Sequence, residues 1–310
     1  MKPSSQAFQV LATVTDYTRL YGLPAPAHPL LTLIDLRRSR ELGQAAGAPP
    51  VTAPVILQFY SVFLKRGLNG PLYYGHQPYD FSEGVLGFSA PGQVFRVDES
   101  LDISGVSGWM LLFHPDLLAR YPLGQRIADY TFFSYDVHEA LHLSAQEEQS
   151  LDSLLHSLKL EHERPIDAFS QDVLVSQLEV LLNYANRYYH RQFLTRRTPA
   201  HDLLTRFEAL LGAYFAPGNQ LPLPTVHYFA EALHVSPAYL GDMLRTLTGQ
   251  TTQQHIHHRL IEKAKQLLLT TSLTVNETAF QLGFEYPHYF SRLFKSKTGL
   301  SPAAFRFSAQ

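Results

Sequence analysis

Apolar residues change their spacing along the chain, and the changes divide it. From Leu30 to Phe113 they come in short runs broken by Gly and Pro. Leu30–Leu36 reads as a strand, Arg37–Pro50 as a loop, and Ile56–Leu64 as a β-branched and aromatic strand with its turn at Arg66–Gly70. Leu72–Tyr74, Val85–Phe88, Val94–Val97 and Gly108–Phe113 follow, with Ala90-Pro-Gly92 as a hairpin turn. Short strands at this spacing predict a small sandwich or open barrel.

After His114 the period becomes helical. Pro115–Tyr121 predicts a helical turn, and Tyr130–Tyr135 an aromatic cluster that packs. Ser144 with Glu147 forms a capping box opening a helix that runs to His162 and stops before Pro165. The strongest amphipathic helix of the first two thirds spans Ser170–Phe193, with Leu174, Leu178, Leu181, Ala185 and Tyr188 at three- and four-residue steps. Val173, Val180, Leu182 and Tyr189 widen that stripe enough to pack on its own domain and leave a seam for a partner helix. Thr195–His201 is polar and basic, and is the expected domain boundary.

Beyond residue 221 one unit is written twice. Thr225–Gly249 and Thr274–Lys295 each hold a short amphipathic helix, a tight turn and a second helix opened by proline, at Pro237 and Pro287. Ala230 and Ala279 take the same place in each copy, where small size lets helices cross closely. Tyr239, Leu240, Met243, Leu244 and Leu247 form the apolar face of one second helix; Tyr289, Phe290, Leu293 and Phe294 are read as core in the other. Between the copies, Ile256, Leu260, Ala264, Leu267 and Leu268 make one stripe, so Thr252–Leu269 predicts a single stiff spacer. Helix, tight turn, helix is the helix-turn-helix pattern, and a rigid spacer holds two such units about 34–36 Å apart, one turn of DNA.

Composition fits this division. The chain has 45% hydrophobic and 17% charged residues, as soluble globular proteins do. No cysteine is present, which excludes disulfides, thiolate metal sites and cysteine nucleophiles. Net charge is only −2, but residues 1–195 carry 14 Lys and Arg against 20 Asp and Glu, while residues 196–310 carry 11 against 7. An acidic first part joined to a basic second part suggests that the second meets phosphate. No apolar run approaches membrane-spanning length and no signal-peptide core follows Lys2, so the expected location is cytoplasmic, without membrane contact.

The run Gly283-Phe-Glu-Tyr-Pro-His-Tyr-Phe-Ser-Arg-Leu-Phe-Lys295, followed by Thr298-Gly-Leu-Ser-Pro-Ala-Ala-Phe-Arg306, resembles the signature of AraC-type (AraC/XylS) transcription regulators. The resemblance covers about ninety residues. It implies an α+β chain: a cupin-like β-barrel or sandwich with flanking helices over residues 1–195, which senses a small molecule and dimerises through a helix at about 170–193. A linker and short helix at 196–220 follow, then an all-α DNA-binding domain at 221–310. Double-stranded promoter DNA is the implied partner, with a homodimeric state, and RNA polymerase as a further expected partner. The resemblance places Ala238, Gly241 and Asp242 of the first recognition helix towards the groove, with Arg245 towards the backbone. In the second it places His288, Ser291 and Arg292, with Pro287 at the entry and Lys295 near phosphate. Arg292 suits guanine O6 and N7, whereas Ala238, Gly241 and Asp242 offer little, so the second copy is expected to dominate base readout. His234 stands where the family often has Gly in the turn.

In the first domain the strands lack the His-x-His ligands of metal-holding cupins. His76 and His114 are isolated, and His255, His257 and His258 sit on the spacer helix, so neither metal nor cofactor is expected. Asp80 and Glu83 near His76 read as a turn, and no enzyme activity is expected. A small-molecule-modifying cupin enzyme with a DNA-binding tail, or an effector-independent dimeric DNA-binding protein, are the alternatives. An effector pocket inside the barrel would draw on Tyr60, Tyr74, His76, Phe88 and Trp109.

Overall fold

A computed structural model describes residues 9–45, 55–66, 72–74, 77–79, 84–95, 105–136, 139–195, 197–216 and 222–308. The chain divides into two compact units, Met1–Gln192 and Phe193–Gln310.

In the first unit the elements run β1 (Gln9–Leu11), α1 (Val14–Leu20), β2 (Leu31–Asp35), α2 (Leu36–Ala45), β3 (Val55–Leu57), β4 (Tyr60–Arg66), β5 (Leu72–Tyr74), β6 (Gln77–Tyr79), β7 (Val85–Ser89), β8 (Val94–Phe95) and β9 (Ser107–Phe113). α3 (Pro122–Arg126), β10 (Leu141–His142), α4 (Ala145–His162) and α5 (Ser170–Thr195) complete it. The strands form a three-stranded sheet ordered β1-β3-β8, a five-stranded sheet ordered β10-β7-β4-β9-β2, and the β5-β6 ribbon. Among the described residues no sheet closes on itself, so of the expected barrel or sandwich no closed barrel is found, and the sheets are open and layered. The single strand expected over Ile56–Leu64 is corrected. It breaks at Gln58–Phe59, where the Gln58 N–H donates to the Leu11 carbonyl, and the chain passes from one sheet to the other. The loop expected at Arg37–Pro50 is also corrected, since its first part is α2, whose start is tied down by the Arg38 N–H donating to Asp35 Oδ1 at 3.0 Å.

Directly opposed strand residues share a face. Ile34 and Leu112 therefore point towards the smaller sheet, where they pack with Leu11, Val14, Val55, Leu57 and Phe59. Tyr60, Phe113, Val62, Phe88, Leu64 and Trp109 point the other way, towards the helices. There Phe132 lies 4.3 Å from Phe88, ring centroid to centroid, and stacks on Tyr189 of α5 at 5.6 Å. α5 buries Leu174, Leu178, Leu181, Leu182 and Ala185 completely or nearly so. Each such leucine contributes about 1.5–3 kcal/mol. The capping box expected at Ser144 and Glu147 is present and opens α4.

The second unit holds α6 (Arg197–Tyr214), α7 (Val226–Leu233), α8 (Pro237–Thr248), α9 (Thr252–Thr270), α10 (Val275–Gln281), α11 (Pro287–Thr298) and α12 (Pro302–Ser308). Residues 196–220 are more than the linker and short helix expected. They include the 18-residue α6, whose fully buried Phe207 meets Phe229 of α7 edge-on at 5.6 Å and so helps build the first pair's core. α9 buries Ile256, Leu260, Ile261, Ala264, Leu267 and Leu268. From Leu260 onward it joins Ala279, Leu282, Phe284, Phe290 and Phe294 in the second pair's core.

Candidate nucleic-acid interface

Each helix pair is fixed by local chemistry that the sequence carries. Thr225 caps α7 by accepting from the Tyr228 N–H at 3.1 Å, and Thr274 caps α10 through a capping box with Glu277. In the first turn His234 takes φ 58° and ψ 45°, the left-handed region, and the Val235 N–H reaches back to the Ala230 carbonyl. In the second turn Gly283 takes φ 87°, and the Phe284 N–H donates to the Ala279 carbonyl. The same wrapped C-cap therefore forms with His in one copy and Gly in the other.

α8 and α11 are built alike. Each has 12 residues, proline first, and a left-handed glycine after it, Gly249 and Gly299. Ala238, Gly241, Asp242 and Arg245 thus occupy the places that His288, Ser291, Arg292 and Lys295 hold in the second copy. Their surroundings differ. In α8, Ala238, Gly241 and Asp242 are half-buried, and Pro237 and Arg245 are exposed. A Cβ on Gly241 would point at Thr252 Oγ1, 3.9 Å away at the start of α9. In α11, His288, Arg292 and Lys295 are exposed, while Pro287 and Ser291 are half-buried. Phe290 and Phe294 are fully buried and Leu293 packs beside them. Tyr289 departs from the core position expected for it and is 48% exposed. It lies one turn before Arg292, whereas Phe290 and Phe294 share the opposite, inward row.

Tyr286 and Tyr289 are the residues that the apolar pattern missed. The Tyr286, His288 and Tyr289 rings cluster with centroids 4.1–6.0 Å apart. The Arg292 guanidinium lies 5.4 Å from the Tyr289 ring centroid. Their exposure could have been found from the steps Tyr286, Tyr289 and Arg292, three residues each, which is one helix face. Such a face offers stacking surface, hydrogen-bond donors and positive charge together.

α9 carries the spacer histidines. His255 meets Phe207 edge-on at 5.7 Å, and its Nε2 lies 2.8 Å from the Thr248 hydroxyl. Burial lowers its pKa and that of His257, the latter also feeling Lys297. Arg306 of α12 holds the far end of α9, donating from Nε to the Leu268 carbonyl at 2.9 Å and from Nη2 to the Leu273 carbonyl at 2.6 Å.

In the first unit, Tyr60 and Phe88 sit in the aromatic cluster with Phe113, Phe132 and Phe133. Trp109, on the same sheet face, instead lines a cavity beside α4. Tyr74 lies in β5, while His76, Asp80 and Glu83 lie outside the described residues. Among the described residues no three potential metal-ligating His, Asp or Glu side chains gather. No described helix is long and apolar enough to cross a membrane.

Two helix pairs with capped turns, held on one spacer helix and exposing an aromatic and cationic face, define a helix-turn-helix DNA-binding domain. Residues 229–307 match a family described as a helix-turn-helix domain, and this domain is of the AraC type. The chain is 28% identical over 164 residues to the HTH-type transcriptional regulator YfiF of Bacillus subtilis, covering 49% of this chain and 48% of the relative. It is 30% identical over 149 residues to the HTH-type transcriptional activator RhaR of Cronobacter sakazakii, covering 48% and 51%. The chain thus spans about half the length of the curated relatives it matches. Among solved structures, the C-terminal domain of the two-component response regulator yesN from Fusobacterium nucleatum is similar at 32% identity and a TM-score of 0.29, covering 32% of this chain and 96% of that one. The DNA-binding domain of AdpA, solved in complex with a target DNA, is similar at 25% identity and a TM-score of 0.30, covering 34% and 90%.

Proposed function

We propose that the protein is a sequence-specific regulator of transcription, with DNA contacts unequally divided between its two helix-turn-helix units. The observation that carries this reading is the contrast between α8 and α11. Both have the geometry of recognition helices, but α11 alone exposes His288, Arg292 and Lys295 on one side. Arg292 would pair with a base edge, and Lys295 would neutralise a phosphate. Arg245 would serve α8 as a backbone contact, while Ala238, Gly241 and Asp242 allow close approach with little discrimination.

The first unit is the proposed sensor and dimerisation domain, with a small-molecule effector and promoter-bound RNA polymerase as further partners. α5 supports the dimer reading through Val173 and Val180, which stay exposed two turns apart while Leu174, Leu178, Leu181 and Leu182 are buried. Genome-wide mapping of the DNA bound in cells tests the function as a whole. Enrichment at promoters is the expected result, and uniform occupancy without sequence preference would refute it.

A further inference from the structure

The first unit contains a cavity of about 640 Å³ at the β2 edge of the larger sheet, enclosed by the 23–27 segment, α2 and α4. Its size is that of a small-molecule site. It is distinct from the space between the sheets, which Leu57, Phe59 and Leu112 fill.

Its chemistry is graded from bottom to mouth. His162, at the end of α4, is only 8% exposed, lines the cavity, and its Nδ1 has no hydrogen-bond partner. A buried ring nitrogen without a partner costs free energy that a bound group can recover. Thr18, also buried, lines the same cavity, its hydroxyl donating to the Thr15 carbonyl at 3.0 Å and keeping lone pairs to accept. Burial, then the neighbouring His28, lowers the pKa of His162, so the deep end is uncharged at neutral pH. The walls are apolar: Trp109, Leu155, Leu23 and Leu42.

Most charges in the lining are already matched. Asp152 accepts from Arg66 Nη2 at 2.7 Å and from the Trp109 indole at 3.3 Å, and Arg66 also pairs with Glu148. Lys159 faces Glu163 at 3.8 Å, and Arg37 faces Glu41 at 3.6 Å. Arg38 differs. Its side chain is exposed at the rim, and among the described residues its guanidinium makes no ion pair.

We propose that this cavity binds a small amphipathic acid whose buried end carries a hydroxyl for His162 and Thr18, whose body packs on Trp109, and whose carboxylate meets Arg38 at the rim. A phenolic acid has this order of groups. The assignment deepens the sensor reading of the first unit, on which its regulatory meaning rests.

Trp109 is the only tryptophan in the chain, so its emission reports on the cavity directly. The full-length protein is titrated with 4-hydroxyphenylacetate, with phenylacetate, which lacks the hydroxyl, and with 2-(4-hydroxyphenyl)ethanol, which lacks the carboxylate. The first should give a saturable change, and each of the others should bind about tenfold more weakly. Arg38→Ala, at an exposed position, should weaken 4-hydroxyphenylacetate to the level of the alcohol, and His162→Phe should remove the preference for the hydroxyl. No saturable change with 4-hydroxyphenylacetate, equal binding of all three compounds, or unaltered binding to Arg38→Ala would overturn the proposal. DNA affinity is measured in parallel. Cavity binding that leaves it unaltered would sustain the site and count against the sensor reading alone.

Discussion

The Arg292 guanidinium lies over the ring of Tyr289, 5.4 Å from its centroid, on the exposed face of α11. A long cationic side chain is thereby held near one orientation before DNA arrives. Exposed cation–π pairs contribute about 0.5–1 kcal/mol. Tyr289→Ala should lower DNA affinity a few-fold and blur discrimination at the base pair read by Arg292, while Tyr289→Phe should keep both. Fluorescence anisotropy with point-substituted duplexes measures this, and equal behaviour of the two variants would show that the ring plays no part.

Arg306 should be irreplaceable for a different reason. Its two hydrogen bonds satisfy the Leu268 and Leu273 carbonyls, groups at and just beyond the end of α9. Lysine lacks the planar fork that reaches both. Both Arg306→Ala and Arg306→Lys should therefore destabilise the second unit, by about 1–3 kcal/mol for the alanine variant. Urea denaturation followed by circular dichroism gives the value.

The second unit was legible in the sequence because its signals are local. Caps at Thr225, Ser236 and Thr274, prolines at Pro237 and Pro287, and the stripe on α9 each act within a few residues. The first unit was harder. Whether Gln58 continues a strand or leaves it depends on a bond to Leu11, far away in sequence. The cavity depends on β2 lying at a sheet edge, which alternation along one strand does not report. Within α11, two apolar rows run side by side, and only packing tells that Phe290 turns inward and Tyr289 outward.

His234 tests the first turn. A non-glycine residue in the left-handed region costs about 1–2 kcal/mol, partly offset by the greater freedom of glycine in the unfolded chain. His234→Gly should raise the melting temperature slightly, whereas the β-branched His234→Val should lower it. Differential scanning calorimetry of the two variants decides, and the reverse order would mean that contacts of the imidazole outweigh the backbone term.

Acid sensitivity should appear earlier than carboxylate titration alone would give. Burial holds His28, His162, His255 and His257 below the ordinary value of 6.5. Their unfolded forms take up protons as pH falls through about 6.5 while the folded forms resist, so stability is full above that pH and declines below it. The urea midpoint should be lower at about pH 5.5 than at pH 7.5, before Glu262 and Glu277, whose pKa values are lowered, become protonated. A midpoint constant over that interval would contradict these assignments.

Selection of bound sequences from a randomised duplex pool tests the division of labour between α8 and α11 most directly. The expected result is a bipartite site about one helical turn in spacing, with one half strongly constrained and the other tolerant. Arg292→Ala should relax the constrained half at one base pair, a loss of about 1–3 kcal/mol there, and leave the tolerant half as it was. Two equally constrained halves, or a constrained half indifferent to Arg292→Ala, would contradict it.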